Sequence, residues 1–184
     1  MKVAIMTMEV RAGACEANYE AMCQAIKQAK QDHADIVIFP QNCISAHVGD
    51  AFTDPDYCRY LDRFNEWIIA QSEDIAIVWG NVKYRGGKLF NCAFMAYQKE
   101  TYMRVKQKEH KGFWCEDAFS ELAINKAIPF HDEVLALNFG SELQLADWNI
   151  NLDMHPYDVH EHTTLHGNVI YVNAVGMQNM GKAV

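Results

Sequence analysis

A mixed α/β protein is what this sequence predicts, on three observations. Segments whose apolar residues recur every three to four positions alternate with short apolar, β-branched runs, a few polar residues separate each pair, and one stretch has two strand-like halves about a Gly-Gly. Such alternation is the pattern of a sheet covered by helices. In chain order, Val3 to Met8 is a short apolar run and reads as a first strand. Residues 16–31 place Tyr19, Met22, Ile26 and Ala29 on one helical face, and a strand follows at 35–39. Residues 57–71 repeat the helical pattern with Leu61, Phe64, Ile68 and Ile69, and "IAIVWGNVKY" returns to a strand after Asp74. "YRGGKLFNCAFMAYQ" reads as a hairpin, with Gly86-Gly87 at the turn and Phe94 through Tyr97 in the paired strand. Two later runs, "VLALNF" and "NVIYVNAV", are β-branched or apolar and short enough to be buried strands. Repeats and low-complexity tracts are absent from the sequence.

Composition limits the function. With 184 residues, half of them apolar, residues 1–184 can form one domain with a real core, and no second domain need be assumed. A net charge of −8 has the wrong sign for nucleic acid or an anionic membrane surface, so a small neutral substrate or a protein partner is expected instead. Six cysteines without C-x-x-C spacing, and no signal-like or 18-residue apolar segment, predict free thiols and a cytoplasmic location.

The stretch "ADIVIFPQNCIS" carries the chemical question. An apolar run ending in Phe-Pro delivers its next side chain into a site, and that side chain is Gln41, whose amide has no useful pKa. On its own Gln41 reads as a polar strand terminus. The order of segments around it says more. "MKVAIMTMEVRAGACEANYEAMCQAIKQAKQDHADIVIFPQ" resembles the opening of the nitrilase (carbon–nitrogen hydrolase) superfamily, in which a strand, a helix holding an Asn such as Asn18 and a second strand lead to Phe-Pro-Glu. "GGKLFNCAFMAYQ" is similar to the family hairpin carrying Asn91, and "RVKQKEHKGFWCEDAFSE" to the segment of the catalytic lysine. "ADWNINLDMHPY" and "GNVIYVNAVGMQN" resemble, within that superfamily, the amino-terminal glutaminase domain of glutamine-dependent NAD synthetase.

The resemblance implies a four-layer α-β-β-α sandwich, shortened at its C-terminal end, and amide hydrolysis by a Glu–Lys–Cys triad. In that triad the carboxylate takes the thiol proton, sulfur attacks the carbonyl and the ammonium stabilises the oxyanion. It places Gln41 at the glutamate, Lys106 at the lysine and Glu116 at a supporting glutamate, with Lys108 or Lys111 as the alternatives for the lysine. Residues 116–184 contain no cysteine, and Asn138 or Leu145 stands nearest the nucleophile's position, with the helix after it shortened or lost. Cys115, beside Glu116, is the one cysteine that could replace the missing thiol, although a buried, inert thiol is its ordinary reading.

His155, His160, His162 and His166 invite a zinc reading, but they fall where the resemblance puts a polar loop, so exposed histidines are expected there and no metal. Two functions stay open: a degenerate glutaminase-like domain with a structural or regulatory role, or an amidase releasing ammonia through an unrecognised nucleophile such as Cys115. No cofactor is expected in this chain, because the segment that binds ATP pyrophosphate in the synthetase has no counterpart here. The implied partners are a second copy of the chain or an NAD synthetase domain, with a small amide as possible ligand.

Overall fold

The computed structural model describes residues 1–107, 119–122, 126–139, 143–154 and 167–175. Two sheets face each other, with two helices on the outside of the first. That sheet has five strands, β1 (Val3–Ile5), β2 (Ile36–Ile38), β3 (Ala76–Arg85), β4 (Lys88–Tyr97) and β5 (Glu100–Val105), in spatial order of sequence. β1, β2 and β3 run parallel, with α1 (Cys15–Gln31) and α2 (Pro55–Ile69) as crossovers, while β3, β4 and β5 are antiparallel. The second sheet holds β6 (Ile128–Phe130), β7 (Glu133–Asn138), β8 (Trp148–Asp153) and β9 (Val169–Asn173), with β7, β8 and β9 parallel.

Each element follows from its residues. α1 turns Cys15, Asn18, Met22, Ile26 and Ala29 inward at spacings of three and four. α2 starts on Asp54, whose carboxylate accepts the Asp56 N–H at 2.9 Å, with Pro55 in its first turn, where the missing N–H costs nothing. At the hairpin tip both Gly86 and Gly87 have positive φ, 59° and 76°, which a two-residue turn of this kind requires. The paired strand is longer than its apolar stretch Phe94 to Tyr97, because register pairing continues down to Lys88 opposite Arg85. β5 carries alternating polar residues and gave little apolar signal, yet it pairs with β4 along its length.

Alternation along the strands divides the interior in two. Val37, Phe39, Ile77, Trp79, Cys92, Phe94 and Val105 face the helices. Ile36, Ile38, Val78, Ala93, Met95, Leu135, Leu137, Ile150, Leu152 and Val172 meet between the sheets. Three of the four expected layers therefore lie in the described residues. The outer face of the second sheet is polar: Asn138 pairs in register with Asn151, and Asn151 with Tyr171. β7 and β8 are joined by residues 139–147 alone, too short for the dozen or more residues of a usual helical crossover, which agrees with the expected loss of that helix.

Candidate active site

The site expected from the sequence lies at the carboxyl end of β2. Phe39 extends the parallel ladder by donating to Val78 C=O at 2.8 Å, after which Pro40 releases the chain. The loop that follows wraps around Gly80: its N–H donates to Pro40 C=O at 3.1 Å and its C=O accepts from Cys43 N–H at 3.0 Å. A Cβ on Gly80 would lie 2.4 Å from Gln41 Cα, so the loop sits where only glycine leaves room. The apolar run "IVWGNV" held that signal, since a glycine inside a strand marks close backbone approach. Asn18 clamps the far side, donating from Nδ2 to Arg11 C=O and to Ile44 C=O, both at 2.8 Å. Every residue from Gln41 to Gly49 is buried, and Asn42 and Ala46 hold φ values of 46° and 57°.

Gln41 is 1% exposed, and its Nε2 has no hydrogen-bond partner. Asn42, absent from the sequence reading, is 0% exposed with neither amide atom partnered. Lys106 lies directly past β5 and donates its N–H to Asn91 C=O at 2.8 Å. Asn91 is two positions along β4 from Ala93, the register partner of Gly80, and its Oδ1 is buried without a partner. Gln41, Asn91 and Lys106 thus share one end of the first sheet. Glu116 and Cys115 lie outside the described residues, as do Lys108, Lys111 and His155, His160, His162 and His166. Among the described residues no group of three His, Cys, Asp or Glu side chains could hold a metal.

The second sheet closes over this end through two links. Gln41 N–H donates to Asp153 C=O at 3.4 Å, and buried Arg104 donates from Nη1 to Asn138 Oδ1 at 3.1 Å. Asn138, one of two positions nearest the expected nucleophile, is fully buried: its Nδ2 donates to Asn149 Oδ1 at 2.6 Å and its Oδ1 also accepts from Gln144 Nε2 at 2.9 Å. Leu145, the other, is wholly exposed. The buried thiols of Cys43 and Cys92 face the helices instead. Cys43 Sγ sits 3.3 Å from Gly80 C=O and 3.5 Å from Met22 Sδ, and burial pushes its pKa up to about 12. Burial raises the Cys92 thiol as well. A thiol held neutral is no nucleophile.

Comparison with solved structures agrees with this architecture. The chain superposes on the amidase from Nesterenkonia sp. AN1, in a double mutant bound to acrylamide, with a TM-score of 0.83 at 17% identity, covering 98% of this chain and 78% of that one. That amidase belongs to the nitrilase superfamily. The chain has the nitrilase fold. The glutamine-dependent NAD+ synthetase from Acinetobacter baumannii, in complex with ADP, matches with a TM-score of 0.80 at 22% identity over 95% of this chain. That from Cytophaga hutchinsonii matches with 0.78 at 15% identity over 97%. This nitrilase-fold chain spans 38% and 37% of those two synthetases. No family model and no curated protein sequence matches it. No helix among the described residues is long and apolar enough to cross a membrane.

Proposed function

We propose that this chain is a glutaminase-like domain of the glutamine-dependent NAD synthetase type that keeps the nitrilase fold without hydrolysing amides, and acts as a structural or regulatory part of an assembly. The observation that carries the proposal is Asn138. At this one of the two positions nearest the expected nucleophile, Leu145 being the other, the amide is buried and engaged by Arg104, Gln144 and Asn149, and neither an amide nor a leucine can attack a carbonyl. Gln41 supports the same reading, because an amide at the end of β2 cannot take a thiol proton. The similarity to the two synthetases supports a partner of that type, either a synthetase domain or a second copy of the chain.

Base and nucleophile form one catalytic unit, so restoring one alone restores little. The test is ammonia release from glutamine by the wild type, Gln41→Glu and Cys115→Ala, beside an active glutaminase. All three chains are expected at background. Wild-type turnover that vanishes in Cys115→Ala would overturn the proposal and install an amidase.

A further inference from the structure

We propose that the outer face of α2 docks a second copy of this chain, the two α2 helices lying antiparallel about a two-fold axis that passes between Arg63 and Glu66. A second copy is one of the two partners proposed above, so this surface rests on that reading. Among the described residues Trp67 is the one large apolar side chain that α1 and α2 leave exposed, at 45%. Its ring packs inward on Phe64, with centroids 4.8 Å apart, and on Tyr19 at 5.7 Å, so it is held in place before a partner arrives. A fixed, half-covered indole is the kind of anchor on which interfaces concentrate their energy, because little freedom is lost when its second side is buried.

Charge selects the partner. Arg63 and Glu66 are exposed on the same face as Trp67, and among the described residues neither makes an ion pair. The other charges around them are already matched. Asp56 pairs with Arg59, whose guanidinium lies 5.4 Å over the Tyr84 ring, Asp62 pairs with Lys83 at 3.0 Å, and Glu73 pairs with Lys99 at 3.5 Å. Residues three apart on a helix share a face and are separated by about 4.5 Å along its axis. A two-fold axis midway between Arg63 and Glu66 therefore sets each Arg63 against the other copy's Glu66, twice over, and brings each Trp67 alongside the other copy's Arg63. Ala70, which this pairing sets opposite Arg59, adds neither bulk nor charge. A wholly acidic or wholly basic partner would satisfy one of the two unpaired charges and oppose the other, whereas a copy of the same helix satisfies both.

The test compares four samples by sedimentation velocity: wild type, Arg63→Glu, Glu66→Arg and the equimolar mixture of the two variants. Salt at about 0.15 M screens the mutual repulsion of two chains of charge −8 beyond about 8 Å. The strand edges are the same in all four samples, so differences among them report α2 alone. Wild type is expected to associate at micromolar concentration. Each single variant sets like charges against each other twice and should weaken association by about tenfold or more. The mixture should return to wild-type association, because opposite charges meet again in the mixed pair. Both positions are exposed, so both variants should melt close to the wild type. A wild-type monomer, single variants that associate as the wild type does, or a mixture that associates no better than its components would each overturn the inference. Ammonia release from glutamine would sink the non-hydrolytic reading and leave this surface standing.

Discussion

Gly80 shows how one residue sets the geometry of the site. The Gln41 loop lies against its bare Cα, and any side chain there must displace backbone rather than a flexible tip. Gly80→Ala is expected to destabilise the protein by about 1–3 kcal/mol in urea unfolding, as overpacked sites do; wild-type stability in that variant would show that the loop is free to move away. Cys43 makes a prediction about pH. Burial raises its pKa from the usual 9.0 to about 12, so between those values the unfolded chain loses a proton that the folded chain keeps. The folded state then binds more protons, and stability falls as pH rises above 9. Urea midpoints should drop steadily from pH 8.5 to 10.5, and Cys43 should resist iodoacetamide until the protein unfolds. Of these residues, Gln41 was legible from the Phe-Pro that precedes it. Asn42 was not, because nothing in an asparagine's neighbours along the chain reveals that its amide is buried without a partner.

The elements were legible to the extent that they are amphipathic. α1 and α2 emerged within two residues of their periodic stretches, and the hairpin announced itself by Gly86-Gly87. β5 and β6 did not, since "ETYMRV" alternates without a consistent apolar face and "IPF" is too short to carry a period; their partners on β4 and β7 make them strands. One amide, that of Asn65, makes three hydrogen bonds across the seam between α2 and β3. Asn65 Oδ1 accepts from Trp79 Nε1 and Asn81 Nδ2, both at 2.9 Å, and its Nδ2 donates to Val82 C=O at 2.9 Å. Asn65→Ala strands the indole N–H and the carbonyl in a dry interior, at a cost of about 3 kcal/mol. The loss should appear in urea unfolding and as weakened Trp79 burial in fluorescence. A loss within experimental error would mean that water or a neighbour replaces the amide.

At the scale of the molecule, large apolar side chains are exposed along one side. Ile5 on β1 is 49% exposed, and near the edge of the second sheet Tyr171 is 46% and Val175 49% exposed, the two edges being joined by the Val175 N–H to Met8 C=O bond of 3.1 Å. Apolar strand edges invite another chain. Self-association at micromolar concentration is therefore expected in sedimentation velocity, and Ile5→Lys with Tyr171→Lys should shift the population toward monomer. A clean wild-type monomer would remove the homo-oligomer from the proposed partners. The arrangement of whole layers came through the sequence because it repeats locally. The polar outer face of the second sheet did not, because Asn138 lies on β7 and Asn149 and Asn151 lie on β8, and only parallel register brings them side by side.

The hydrogen bond from Gln41 N–H to Asp153 C=O has a consequence in time as well as in space. Its partners lie 112 positions apart in the chain, and Arg104 and Asn138 lie 34 apart. The helices and first sheet consist of neighbours in sequence and can assemble early, but the loop from Gln41 to Gly49 keeps a water-facing side until β8 arrives. Contacts of such long range form late and slow a folding reaction. During synthesis on the ribosome, the segment bearing Gln41 thus stays open until β8 has emerged, and for that interval its unpaired amides stay hydrated at no cost.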